Sequence, residues 1–104
     1  MVAAVPEPQE VLAAKVRVPE HVVHREFEGE TVALNLQTGT YHGLNPTAAR
    51  MLEVLGEGGS VAEVVPGLCD EFDQPRDVIE RDVVELCRAL AERDLIELGH
   101  ADGG

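Results

Sequence analysis

Four histidines, two cysteines and a single serine are the side chains with which this sequence could hold a metal or attack a bond. His21 and His24 stand three apart, but a zinc site needs further nitrogen or sulfur ligands, and neither His42 nor His100 is spaced to supply them. They read as solvated loop or strand histidines. Cys69 and Cys87 form no C-x-x-C pair, and neither has a basic neighbour on its own face to favour the thiolate. Both fit the apolar stripe of a helix, as buried free thiols in a reducing cytoplasm. Asp70, Glu71 and Asp73 resemble a fragment of a calcium loop without its glycine and closing glutamate. Gly56-Glu57-Gly58-Gly59 follows a helix rather than a strand, which makes it a helix stop and not a phosphate cradle. Ser60 lies in no nucleophile elbow; with Glu63 it forms a helix capping box. It also follows Gly59 rather than the aspartate that an acyl carrier would need. With no catalytic constellation, no cofactor motif and no metal set, the chain reads as a binding protein and not an enzyme.

Charge narrows what it can bind. Twenty acidic residues against eight basic ones give a formal net charge of −12 over 104 residues. Such a field repels nucleic acid, whose affinity rests on basic side chains displacing counterions, and repels an anionic membrane surface equally. It attracts a cationic peptide or protein; solubility alone is the other reading of the same charge. The first residues show no basic segment ahead of an apolar run, and no window reaches the ~18 apolar residues of a membrane span. Lacking Trp and nearly lacking other aromatics, the chain must build an aliphatic core.

The elements that would position a binding site follow from periodicity. Residues 1–13, rich in Pro, Ala and Glu, read as a disordered arm, 14–98 as one domain, and 99–104 as a flexible tail. Val16 and Val18 alternate with Lys15 and Arg17 in a short strand stopped by Pro19. Val22 to Phe27 offers a further strand with Gly29 as its turn. Val32, Leu34 and Leu36 alternate with Ala33 and Asn35, predicting a half-buried strand with its apolar face at even positions. Gln37-Thr38-Gly39-Thr40 is a turn in which Gly39 supplies positive φ, and Thr40 to Leu44 is the return strand. Asn45 then caps a helix with Pro46 at its first position and Ala48, Met51, Leu52 and Leu55 along one face. A second helix follows Ser60, with a kink or early end expected at Pro66. Pro75 opens the last, with Ile79, Val83, Leu86, Cys87 and Leu90 in one stripe. Leu95, Ile96 and Leu98 close the chain as an extended segment or helix tail. The order is that of an α+β domain: a three-stranded antiparallel sheet followed by three helices, winged-helix-like in shape.

The run Val32-Ala33-Leu34-Asn35-Leu36-Gln37-Thr38-Gly39-Thr40-Tyr41-His42-Gly43-Leu44-Asn45 resembles the central pattern of the PqqD-like family, also called the RiPP recognition element. Ala48, Ala49, Leu52 and Leu55, the glycine-rich stop, Val61 to Phe72, and Asp82, Leu86, Leu90 with Asp94-Leu95-Ile96 continue it in order. The resemblance covers residues 15 to 98 and departs at Pro66, unusual in the second helix, and at Asp94, where Gly is common. It implies a domain that binds the leader segment of a ribosomally made precursor peptide and presents it to a leader peptidase or other modifying enzyme. The long polar termini and the Leu-Gln-Thr-Gly-Thr-Tyr hairpin resemble the lasso-peptide type. A non-catalytic adaptor of a peptide-modifying enzyme, such as a radical enzyme of quinone-cofactor biosynthesis, is the second reading. A winged-helix DNA-binding regulator is the third, and the acidic last helix opposes it.

Binding of this kind is strand addition to a free sheet edge, with alternate side chains falling into pockets. Thr40, Tyr41, His42, Gly43 and Leu44 form the last strand of the meander and hence the expected edge. The resemblance places the peptide between this strand and the last helix, where Val78, Arg81, Asp82 and Glu85 lie off the core stripe. Tyr41 reads either as a pocket wall or as one of the few large core residues. Arg81 and Glu85 read either as groove lining or as a solvated helix face.

Overall fold

The fold begins with a tight turn. Glu28 and Gly29 both take positive φ, 51° and 85°, so a two-residue loop joins β2 (Val22–Phe27) to β3 (Glu30–Asn35), and Phe27 pairs with Glu30. Two central residues of positive φ match the right-handed twist of paired strands, and glycine accepts that conformation freely. The second turn places Gly39 at φ 77° and returns the chain as β4 (Tyr41–Leu44), antiparallel to β3. The computed structural model describes residues 7–100, so the expected arm at 1–6 and tail at 101–104 lie outside the described residues.

β2, β3 and β4 form the three-stranded antiparallel sheet, with β3 central. The Val16 strand belongs elsewhere. β1 (Ala14–Arg17) pairs antiparallel with β5 (Glu97–His100), which makes the closing segment extended and brings together two segments distant in sequence. Arg17 and Glu97, direct partners across this ribbon, form an ion pair.

Three helices follow the sheet: α2 (Pro46–Leu55), α3 (Val61–Phe72) and α4 (Arg76–Glu92). Their ends obey local chemistry. The Asn45 side chain accepts from the Ala48 N–H at 2.8 Å. Ser60 Oγ accepts from the Glu63 N–H while Glu63 Oε1 accepts from the Ser60 N–H at 2.7 Å, which holds the Glu63 carboxyl below its usual range. The Arg50 guanidinium forks the Glu71 carboxylate at 2.8 and 3.0 Å and so ties α2 to α3. Cys69 and Cys87 are both free; Cys87 is buried in the core, which pushes its thiol up to about 12.

Three local expectations are corrected. Pro66 does not end α3, which runs on to Phe72. Val61, Val65 and Leu68 are buried on the core face and hold the helix, while Pro66 lies on the exposed side, where water can meet the carbonyl it leaves without a donor. The parity of β3 is the reverse of the one predicted: Ala33 and Asn35 face inward at 0% and 1% exposure, and Leu36 is 61% exposed. A small residue at 33 lets the helices close on the sheet, and the Asn35 amide has buried partners that an aliphatic side chain could not serve. Finally, Pro8–Ala13, assigned above to a disordered arm, form a helix, α1, and Gly99 and His100 pair with Lys15 and Ala14 rather than fraying.

α1 is short, yet Val11 is fully buried and the helix packs on α3 and α4. Nothing in its own six residues would keep it helical in water, so that burial is what orders it. Val11→Ala removes two buried carbon groups and lowers unfolding free energy by about 2 kcal/mol, read as a shifted urea midpoint. An unchanged midpoint would place α1 outside the cooperative unit.

Candidate functional site

β4 is an edge strand among the described residues, pairing with β3 on one side only. Its register decides which groups it offers. The Asn35 N–H donates to the Thr40 carbonyl at 2.8 Å, and the partners then run Leu34 with Tyr41, Ala33 with His42, Val32 with Gly43 and Thr31 with Leu44. Hydrogen-bonded and non-hydrogen-bonded pairs alternate in an antiparallel ladder. Thr40, His42 and Leu44 therefore turn their backbone groups toward β3, and Tyr41 and Gly43 turn theirs outward. Two residues of the edge are ready to pair with an added strand.

Side chains divide by the same alternation. His42 and Leu44 point to the helix side with Ala33, where Leu44 is 3% exposed and belongs to the core. Tyr41 and Gly43 lie on the outer face with Leu34 and Val32. Tyr41 is 66% exposed, which removes it from the core and from the groove on the helix side. The outer face is apolar as well: half-buried Val23, Val32 and Leu34 lie there, bordered by the exposed Phe27 and Leu36.

Beside β4 runs an open groove of about 400 Å³. His42 and the start of α2 form one wall, through Asn45 and Thr47; Asp82 and Glu85 of α4 form the other, and Ala48, Met51, Leu86 and Ala89 supply an apolar floor. The structure thus brings His42 together with Asp82 and Glu85. Arg81 is directed elsewhere, into a cleft of about 380 Å³ with Pro8 and Leu12 of α1, and Val78, half-buried one turn before Asp82, is not among the groove's lining residues. The floor was missed because Ala48, Met51 and Leu86 obey the helical stripes, and the sequence does not mark where two stripes part. Leu86 gives the only hint, lying at the margin of the α4 stripe.

Burial, and secondarily the nearby positive charge of Arg93, hold the His42 imidazole below its ordinary value of 6.5. No metal-holding group of three or more His, Cys, Asp or Glu side chains occurs among the described residues, and no helix there is long and apolar enough to cross a membrane.

Among the described residues the fold thus offers a sheet edge flanked by a groove with an apolar floor. The family model for PqqD, coenzyme PQQ synthesis protein D, matches residues 30–96, and the chain belongs to that family. Among solved structures it is similar to TbiB1 in complex with the TbiA(beta) leader peptide, with 38% identity, TM-score 0.68, and coverage of 78% of this chain and 94% of that one. It is also similar to a lasso peptide synthetase B1 complexed with its leader peptide, with 30% identity, TM-score 0.71, and coverage of 81% and 99%. No curated protein matches the chain.

Because the folded pKa of His42 is depressed, the unfolded chain takes up a proton first as pH falls. The neutral form's advantage is whole above the ordinary value of 6.5 and is lost as pH drops from there through the folded pKa. An NMR titration should give His42 a midpoint below 6.5, and Arg93→Gln should raise it; a midpoint at or above 6.5 contradicts the desolvated placement.

Proposed function

We propose that this protein is a non-catalytic recognition element that binds the leader segment of a ribosomally synthesised precursor peptide, of the lasso class, by adding it as a strand to β4. The observation that carries the reading is the outward-facing backbone of Tyr41 and Gly43 beside the groove between β4 and α4. An extended leader would satisfy those groups and drop alternate side chains onto the Met51 and Leu86 floor. Similarity to two leader-bound proteins, one of them a lasso peptide synthetase B1, supports the lasso class over the quinone-cofactor pathway for which the family is described. Binding takes place in the cytoplasm, where the precursor is made.

Presentation needs a second surface, for the leader peptidase or modifying enzyme. The outer sheet face around Val32, Leu34 and Tyr41 suits that task, because it is apolar, not covered by another element among the described residues, and continuous with the edge that takes the leader. This gives the adaptor reading a physical basis within the same proposal. The regulator reading has none: along α4, Asp77, Glu80, Asp82, Glu85 and Glu92 outweigh Arg76, Arg81 and Arg88, with Arg93 just beyond its end.

Gly43→Pro tests the edge directly. It deletes an outward N–H, and proline is tolerated on an edge strand where the ladder does not use that group. Titration of a labelled leader peptide, read by anisotropy, should show micromolar or tighter binding to the natural protein and roughly tenfold weaker binding to a folded Gly43→Pro variant. Equal affinity would remove the edge model, and no binding of leader to the natural protein would remove leader recognition itself.

A further inference from the structure

Backbone pairing at Tyr41 and Gly43 accepts any extended sequence, so selection among peptides falls to side chains that enter the groove. The two groove walls differ in charge. On α4, Glu85, on the ridge between this groove and the α1 cleft that it lines with Arg81 and Arg88, has no ion-pair partner among the described residues, and Asp82 has only a 3.8 Å contact with Arg81, itself 66% exposed. On the facing wall Asn45 and Thr47 are uncharged, and His42 is held toward its neutral form. Among the described residues no Lys or Arg lines this groove to answer the two carboxylates, and Arg93, the positive charge felt by His42, is not in its lining. A peptide laid over it would strip water from both, an unfavourable step unless the peptide brings its own cation.

Building on the leader-binding reading, we infer that the groove selects peptides carrying a Lys or Arg whose alkyl stem lies on the Met51 and Leu86 floor and whose charged head reaches Asp82 and Glu85. The stem supplies apolar contact while the head stays at the wetter rim, a division of labour that long basic side chains make readily. An acidic residue at the same register is rejected by both carboxylates, which makes them a filter as well as a grip. The overall charge of −12 works in the same direction at long range, speeding the approach of a cationic peptide.

The experiment is a double-mutant cycle. A labelled leader peptide from the precursor encoded beside this chain is compared with versions in which each Lys and Arg in turn becomes Gln, against the natural protein and the Asp82→Asn, Glu85→Gln double variant. One peptide substitution should weaken binding to the natural protein by roughly fivefold or more and to the double variant by less than about twofold, with the difference shrinking as salt is raised. Equal penalties on both proteins, or a leader that binds both equally and is indifferent to every Lys and Arg, would overturn the charge selection while leaving strand addition intact. Loss of all binding, the unaltered leader included, would overturn both.

Discussion

One buried amide holds the recognition edge and its facing helix in a fixed relation. Asn35 is 1% exposed, and its Oδ1 accepts from the Gln37 and Thr38 N–H groups at 2.9 and 3.1 Å, which shapes the turn between β3 and β4. Its Nδ2 donates to the Asp94 carbonyl at 2.9 Å, just past the end of α4. One side chain thereby fastens the hairpin to the segment that ends the groove's opposite wall. Leaving any of these groups unpaired inside the protein costs about 1–3 kcal/mol, so the alternatives to this arrangement are expensive. Asp94 takes part through its backbone: at φ 57° it occupies the left-handed region, which Asp tolerates better than most residues and Gly better still.

Elements governed by neighbouring residues were legible in the sequence. The Thr38-Gly39 turn, the Asn45 and Ser60 caps and the α4 stripe each depend on groups a few positions apart, and each is found where its chemistry requires. What escaped depends on distant partners. Val11 looks like part of a polar arm until α3 and α4 cover it, and the strand at Val16 has no visible mate because its partner lies at Glu97–His100. In β3, hydrophobicity favoured Val32 and Leu34 as inward, but the space beneath the sheet admits only Ala33, and Asn35 is needed as a fastening. The groove followed the same division: β4 announced itself through its turn, whereas the α1 cleft that Arg81 lines, and that Glu85 shares with the groove, exists only once α1 is in place.

The alternation that misled the assignment of β3 is also what equips so small a domain with two working surfaces. On three short strands, backbone groups at the β4 edge, His42 on the helix side and Tyr41 on the outer side serve different directions without competing for space. Ionic contacts contribute little to holding this together, since Arg17–Glu97, Arg50–Glu71 and Arg76–Glu80 all lie at the surface. The aliphatic core and the Asn35 fastening carry the architecture.

The antiparallel ribbon of β1 and β5 sets Ala14 opposite His100, so it joins two segments with the whole sheet and all three long helices between them in sequence. Closing so long a loop costs chain entropy that only the packing of the intervening elements repays. The ribbon therefore acts as a clasp: it shuts over a domain already assembled, and opening it is the least costly first step in taking that domain apart.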